Sequence, residues 1–331
     1  MPDRLMKAVR VYEFGGPEVL RYEDTPIPSP GPRQALIQVH AAGVNPVDTY
    51  IRTGTYARKP DLPYTPGSDA AGIVTALGDE VQGLAVGDRV YTSGTVTGSY
   101  ADYTICDERQ VFRLPIQREF VQGAALGTPY ATAWRALFQC GRAVAGETVL
   151  VHGATGGVGL AAVQLAAAAG LRIFATGGSE EGRELVMEQG AHEVFDHYSE
   201  DYLDRIQAHS GGVDLVVEML ANVNLDRDLQ VLAQRGRVVV IGSRGRIEID
   251  PRATMQKESA ILGMTLFGAT EQEARSIHAG LGAGLANGSL SPVIGRRLVL
   301  AEAAEAHRAV LESCSYGKIV LIPTEGEKDS G

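Results

Sequence analysis

The chain has 331 residues, of which 44% are hydrophobic and 21% charged, with a formal net charge of -10. Such a length folds as about two domains, and the acidic balance argues against a general binder of nucleic acid or anionic membranes. Cys106, Cys140 and Cys314 are too scattered for a disulfide framework or a zinc ribbon and fit a reducing cytoplasm.

In chain order, Lys7 to Tyr12 alternates like a strand and Gly15-Gly16-Pro17 breaks it. Pro26, Pro28, Pro30 and Pro32 form an extended connection to a strand at Ala35 to Ala41. Gly43 to Tyr50 reads as a loop that starts a short helix. Strand-like text then recurs at Ala70 to Leu77, Gly87 to Tyr91 and Tyr100 to Ile105. Many short strands punctuated by Gly and Pro predict a β-rich module over about the first 125 residues. No stretch is long and apolar enough to predict a signal peptide or a membrane span.

From Gly123 the text alternates between strand and helix. Glu147 to Val151 is a short run rich in branched residues, as in a strand buried on both faces. Gly153, Gly156, Gly157 and Gly159 follow, and then the alanine-rich Leu160 to Ala169, closed by Gly170. Strand, glycine turn and helix together form a site for a pyrophosphate. The turn lets bare backbone approach the anion, and the free N–H groups of the helix point at it. A side chain at Gly159 would push the helix off the strand. Further strands are predicted at Arg172 to Thr176, Val213 to Met219, Arg237 to Ile241 and Ala260 to Phe267. Helices are predicted at Glu180 to Gln189, Glu271 to Asn287 and Ala301 to Ser313. The pattern is a doubly wound sheet. The last strand, Lys318 to Ile322, is assigned back to the first module, and Glu325 to Gly331 reads as a frayed polar tail.

In NAD-binding folds the second strand usually ends in an acid that holds the ribose 2′-OH. Here it ends Thr176-Gly177-Gly178-Ser179, with no carboxylate to repel a 2′-phosphate. NADPH is therefore expected over NADH, with Ser179, Arg183 and His197 as candidate phosphate ligands. Glu180 and Glu181 are the contrary evidence, although acids at a helix N-terminus also serve the helix dipole. His152, Met219 and Met264 read as packed residues, and the three cysteines are given no chemistry.

Gly43-Val44-Asn45-Pro46, Pro66-Gly67-Ser68-Asp69-Ala70-Ala71-Gly72, Gly87-Asp88-Arg89-Val90 and the glycine turn occur in the order typical of medium-chain dehydrogenase/reductases. Within that superfamily, Leu62 to Asp69, Gly190 to Phe195, Glu218 to Asn224 and Ile241 to Gly245 resemble the zeta-crystallin-type NADPH:quinone oxidoreductases. The resemblance runs from about Lys7 to Ile322. It implies a GroES-like β-rich catalytic domain (residues 1–125 and 267–331) and a Rossmann domain (126–266), with a quinone reduced in the cleft between them. It implies NADPH contacts at Tyr50, Thr155, Gly156, Gly157, Val158, Gly178, His197, Asn224, Ile241, Gly242, Ser243, Arg244, Met264, Thr265 and Leu266. Bacterial relatives carry a phosphate-binding Lys where Gly182 stands, and Arg183 is the candidate substitute. Tyr50 and Asn45 would position substrate and nicotinamide, since a quinone is electrophilic and needs no dedicated acid or base.

Zinc-dependent members carry Gly-His-Glu where Gly67-Ser68-Asp69 stands, and four clustered cysteines besides, so no catalytic or structural metal is expected. The alternatives are reduction of enones or alkenals, or a non-enzymatic crystallin or AU-rich-RNA-binding role, the last unsupported by the charge. The resemblance also implies a homodimer or homotetramer, with the strand near Ala260 as a candidate pairing edge.

Overall fold

The computed structural model describes residues 4–312 and 316–323. Cys314, Ser313 at the end of the expected helix 301–313, and the expected tail 325–331 lie outside the described residues. The chain divides into two compact units. One ends at Thr128 and resumes at Pro292; the other is Pro129–Ser291.

In the first unit, β1 (Leu5–Val11) and β2 (Leu20–Pro26) pair antiparallel. β2 ends at Pro26, and just beyond it the Ile27 N–H still donates to the Arg4 carbonyl at 2.9 Å. Then come β3 (Gln34–Val44), α1 (Pro46–Arg52), β4 (Asp69–Leu77), β5 (Arg89–Thr92), β6 (Tyr103–Asp107), β7 (Val111–Arg113) and α2 (Phe120–Gly123). α1 has Pro46 at its first turn, where a missing N–H costs nothing. Gly72 is needed on β4 because a Cβ there would lie 1.8 Å from the Gln38 carbonyl oxygen of the neighbouring β3.

The chain changes units within α3 (Gly127–Trp134). The second unit then runs β8 (Thr148–Val151), α4 (Gly157–Ala168), β9 (Arg172–Thr176), α5 (Glu180–Glu188), β10 (Glu193–Phe195), α6 (Tyr202–Ser210), β11 (Val213–Glu218), α7 (Ala221–Val231), β12 (Leu232–Val240), α8 (Pro251–Lys257), β13 (Ala260–Gly263) and α9 (Glu271–Asn287). Its six strands are parallel in the order β10-β9-β8-β11-β12-β13. The order of strands therefore reverses between β8 and β11, the place where ligands bind in doubly wound sheets.

Val149, Leu150 and Val151 are buried, as expected of a strand covered on both faces. Gln164, in the buried face of α4, is tolerated because its amide is satisfied: the oxygen accepts from Tyr130 Oη at 2.7 Å and from the Ser291 N–H at 2.9 Å, and the nitrogen donates to Gln189 Oε1 and the Ser291 carbonyl.

The first unit then resumes with β14 (Ile294–Val299), α10 (Ala303–Ala309) and β15 (Lys318–Ile322). β15 pairs antiparallel with β3 in a seven-stranded sheet, β14-β15-β3-β4-β5-β7 with β6 on β3.

The structure departs from the expected division at 266/267: residues 267–291, including α9, belong to the second unit. The reason is packing. A Cβ at Gly280 would lie 2.0 Å from the Trp134 ring, and Arg135 pairs with Glu273 at 3.0 Å. The strand expected over 260–267 ends at Gly263, and 266–268 coils into a short 3-10 turn. No described helix is long and apolar enough to cross a membrane.

Candidate functional site

The turn after β8 has the features of an anion cradle. Gly153 takes φ +57°, a conformation that favours glycine. A Cβ at Gly159 would lie 2.5 Å from the Gly153 carbonyl oxygen and from Ala154 Cα, so only glycine lets α4 begin so close to the strand. Gly156 caps α4 with extended backbone and no side-chain hydrogen bond, and the first turn carries no acid. The amides of Gly157, Val158 and Gly159, orphaned at the start of any helix, thus gather partial positive charge where no side chain competes for it. At Gly156 a Cβ would meet nothing nearer than 3.7 Å. This donor set fits a pyrophosphate.

Beyond the tip of β9, Ser179 caps α5 by accepting the Gly182 N–H at 3.1 Å. A Cβ on Gly178 would crowd Tyr198 at 2.7 Å and His197 Nε2 at 3.0 Å, so two exposed rings close over that glycine. Partial burial lowers the His197 pKa below the ordinary imidazole value. Arg183 reaches the Gly177 carbonyl at 3.4 Å and Asp196 Oδ2 at 3.3 Å. The expected absence of acid holds for β9 itself, but Asp196, just after β10, brings a carboxylate to the same corner. Tyr198 and Asp196 escaped the sequence reading because they stand on the third strand's exit, which adjoins the second only in the folded sheet.

Ile241, Gly242, Ser243, Met264 and Thr265, all expected to touch the cofactor, line one cavity of about 490 Å³ together with Arg135, Val240, Gly263 and Gly268. Gly242 is required there, since a Cβ would lie 2.4 Å from the Met219 carbonyl oxygen. Leu266 opens the adjoining 3-10 turn, and the exposed Arg244 is held by its N–H to Asn222 Oδ1 at 2.7 Å. Asn224, on α7, donates to Glu218 at 3.2 and 3.3 Å. Arg135 was not expected. It donates to the Gly268 carbonyl at 3.2 Å and so holds the end of the 264–268 segment.

In the first unit, Tyr50 lies half-buried on α1, and its hydroxyl has no hydrogen-bond partner among the described residues. Asn45 is buried, and its amide is engaged at both ends. The nitrogen donates to Asp69 Oδ2 at 2.8 Å and the oxygen accepts from Lys318 Nζ. Asn45 thereby fixes the loop from which α1 and Tyr50 project.

Asp69 also accepts from the Thr128 N–H and Oγ1, and pairs with Lys318. Residues 67–69 thus offer a hydroxyl and a carboxylate fully committed to protein donors, a set that does not fit zinc. Among the described residues, the one grouping with metal-ligand geometry is His152, Glu218 and Asp228, in the other unit.

Comparison with known proteins identifies the domains and the family. Residues 31–116 match the alcohol dehydrogenase GroES-like domain, and 157–279 the zinc-binding dehydrogenase family. The human quinone oxidoreductase is 54% identical over 323 residues, covering 96% of this chain and 98% of that one. The chain belongs to the quinone oxidoreductase family of medium-chain dehydrogenase/reductases. Solved structures similar to this family member include mycobacterial Rv1454c complexed with NADPH (TM-score 0.88, 32% identity, covering 96% of this chain and 100% of that one). Another is the Escherichia coli quinone oxidoreductase complexed with NADPH (TM-score 0.87, 28% identity, covering 96% and 100%).

Proposed function

We propose that the protein is an NADPH-dependent quinone reductase that uses no metal. The observation that carries this is the acid-free start of α4, with no side-chain cap, behind the glycine turn, at the point where the strand order reverses. The NADPH complexes and quinone oxidoreductase names of its relatives support it. Thr155 to Val158 hold the pyrophosphate on backbone N–H groups. Gly178, Ser179, Arg183 and His197 receive the adenosine ribose and its phosphate. Asn224, Ile241 to Arg244 and Met264 to Leu266 line the remainder. Bound there, NADPH supplies two reducing electrons, as a hydride or singly. The chain's task is to orient and desolvate, because a quinone carbonyl is already electrophilic. Tyr50 contributes a hydroxyl to positioning, and Asn45 secures the loop that carries it.

A cytoplasmic homo-oligomer belongs to the same reading. β13 is the edge of the six-stranded sheet and exposes Ile261, with Phe267 exposed just beyond it. Light scattering of the purified protein tests it. For the activity, steady-state rates with a panel of quinones and enones, each with NADPH and NADH, decide the matter. Quinone turnover preferring NADPH is the expected result; enone turnover exceeding it would move the assignment to an enone reductase.

A further inference from the structure

Beneath the cradle, three ionisable side chains meet in the core. His152 follows β8, Glu218 ends β11 and Asp228 lies on α7, and all three are buried. His152 Nε2 is 2.9 Å from Asp228 Oδ1 and 3.7 Å from Glu218 Oε2. Such a cluster adds little stability over aliphatic packing, because desolvating the charges offsets their attraction. Its outward connections, however, run to the cofactor site. His152 Nδ1 is 3.3 Å from Thr176 Oγ1, which also accepts the Gly153 N–H at the head of the glycine turn. Glu218 accepts the Leu220 N–H, and both its oxygens accept from Asn224 Nδ2.

An ionised carboxylate has no proton to donate. Glu218 therefore draws the nitrogen of the Asn224 amide inward and turns its oxygen away from the cluster. We propose that Glu218 is a positioning residue for NADPH, fixing the Asn224 amide so that Oδ1 is presented as an acceptor to a hydroxyl or amide N–H of the dinucleotide. This rests on the assignment of Asn224 to the cofactor site.

The charge state of Glu218 then matters. Burial pushes its pKa up to about 7, opposed by His152 and reinforced by Asp228. Burial acts most strongly on His152 and would lower its pKa, but the Asp228 and Glu218 carboxylates together outweigh it and raise that pKa. Among the described residues, Arg227, Tyr202 and His197 are the other ionisable groups near the trio; Arg227 sits over the Tyr202 ring, which meets His152 edge-on, and His197 feels the His152 charge. Above pH 7, Glu218 accepts only and the amide is locked. Below pH 7 the carboxyl carries a proton that it can share with Asp228 or with the Asn224 oxygen, so the amide orientation is no longer fixed.

The test is the NADPH dissociation constant, read from the fluorescence of the bound nicotinamide, for wild type, Glu218→Gln, Asn224→Ala and the double variant at pH 8. Thermal unfolding without ligand reports on folding. Each single variant is expected to weaken binding about tenfold, and the double variant no further than Asn224→Ala alone, since one residue acts through the other. Should Glu218→Gln fail to fold, wild type and Asn224→Ala across pH 6 to 8 carry the test: their ratio of affinities shrinks as pH falls through 7. Losses that multiply in the double variant, or a ratio constant with pH, would overturn the proposal while leaving the NADPH site standing. So would an equimolar divalent metal in the purified protein that is lost in Glu218→Gln, which would make the trio a metal site. If Asn224→Ala binds as tightly as wild type, the Asn224 assignment falls and the proposal with it. If wild type does not bind NADPH, the functional reading itself falls.

Discussion

Lys318 Nζ lies 3.2 Å from Asp69 Oδ2, with both side chains buried, and Asn45 bridges the two. An ammonium from the last described strand thus neutralises a carboxylate at the start of β4, beside the loop that carries Tyr50. Burial lowers the Lys318 pKa, and the Asp69 and Asp48 carboxylates oppose that shift.

Removing one partner of a buried pair strands the other charge. Lys318→Met is expected to destabilise the protein by about 3–5 kcal/mol. Lys318→Met with Asp69→Asn should recover part of that loss, because neither member of the pair then leaves an unpaired charge in the core. Urea denaturation of the three proteins reads this directly, and a double variant worse than Lys318→Met alone would contradict it.

This pair also marks where sequence reading stops. Strand, glycine turn and helix over 147–170 were legible because period and composition are local, and Gly159 and Gly170 stand where backbone geometry demands them. β15 could be returned to the first module from its distance along the chain. Nothing in the text, however, joins Lys318 to Asp69 or Glu218 to His152, since those contacts are made by strand order. The short β10 and β14 and the helices α6 and α7 are likewise not legible from period alone, although Gly211 punctuates the end of α6. α9 was predicted as a helix, but its unit was not, because membership is decided by Gly280 against Trp134 rather than by the helix's own sequence.

Asp48 gives a pH dependence with a definite sign. Burial raises its pKa to about 7, with Asp69 adding to the shift, and the Asn45 N–H, Lys318 and Tyr100 opposing it. In the unfolded chain an Asp titrates near about 3.9. Between these values the native state holds a proton that the unfolded state has released, so this group's contribution to stability falls as pH rises from about 4 to 7 and is level above. Asp48→Asn keeps an oxygen to accept from Asn45 and Tyr100 but does not titrate. Its stability relative to wild type should therefore rise between pH 5 and pH 8 in urea denaturation, whereas a constant difference would count against the assignment.

Two glycines of the same turn separate fold from ligand. A Cβ at Gly159 meets backbone at 2.5 Å, and backbone cannot yield as a side chain can. Gly159→Ala is expected to lower thermal stability by more than about 2 kcal/mol, in the range of overpacked cores. Gly156 has extended φ and nothing within 3.7 Å of a Cβ, so Gly156→Val should fold with nearly the wild-type melting temperature. Its isopropyl group would nonetheless stand over the amides of α4, and NADPH binding should weaken at least tenfold, about 1.4 kcal/mol. Calorimetric titration and thermal unfolding on the same samples distinguish the two effects; tight binding by a folded Gly156→Val protein would remove the cradle from the argument.

Arg183 and Asp196 make cofactor choice a contest between two charges. With its guanidinium 3.3 Å from the Asp196 carboxylate and only partly exposed, Arg183 is held at the corner without a ligand. A 2′-phosphate arriving there gains a hydrogen bond to a charged group, worth about 1.5–3 kcal/mol, and meets the repulsion of Asp196. The two residues should therefore act in opposite directions. Arg183→Ala is expected to weaken NADPH about 10- to 150-fold with little change for NADH, which has no phosphate to lose. Asp196→Ala removes the like charge and the competing partner of Arg183, so it should tighten NADPH and again spare NADH. Dissociation constants of both cofactors for the three proteins supply the check. Because NADH serves as the control, a general disturbance of the fold would shift both cofactors together, whereas a phosphate contact moves only one. An unchanged preference in Arg183→Ala would transfer the phosphate to Ser179 and His197.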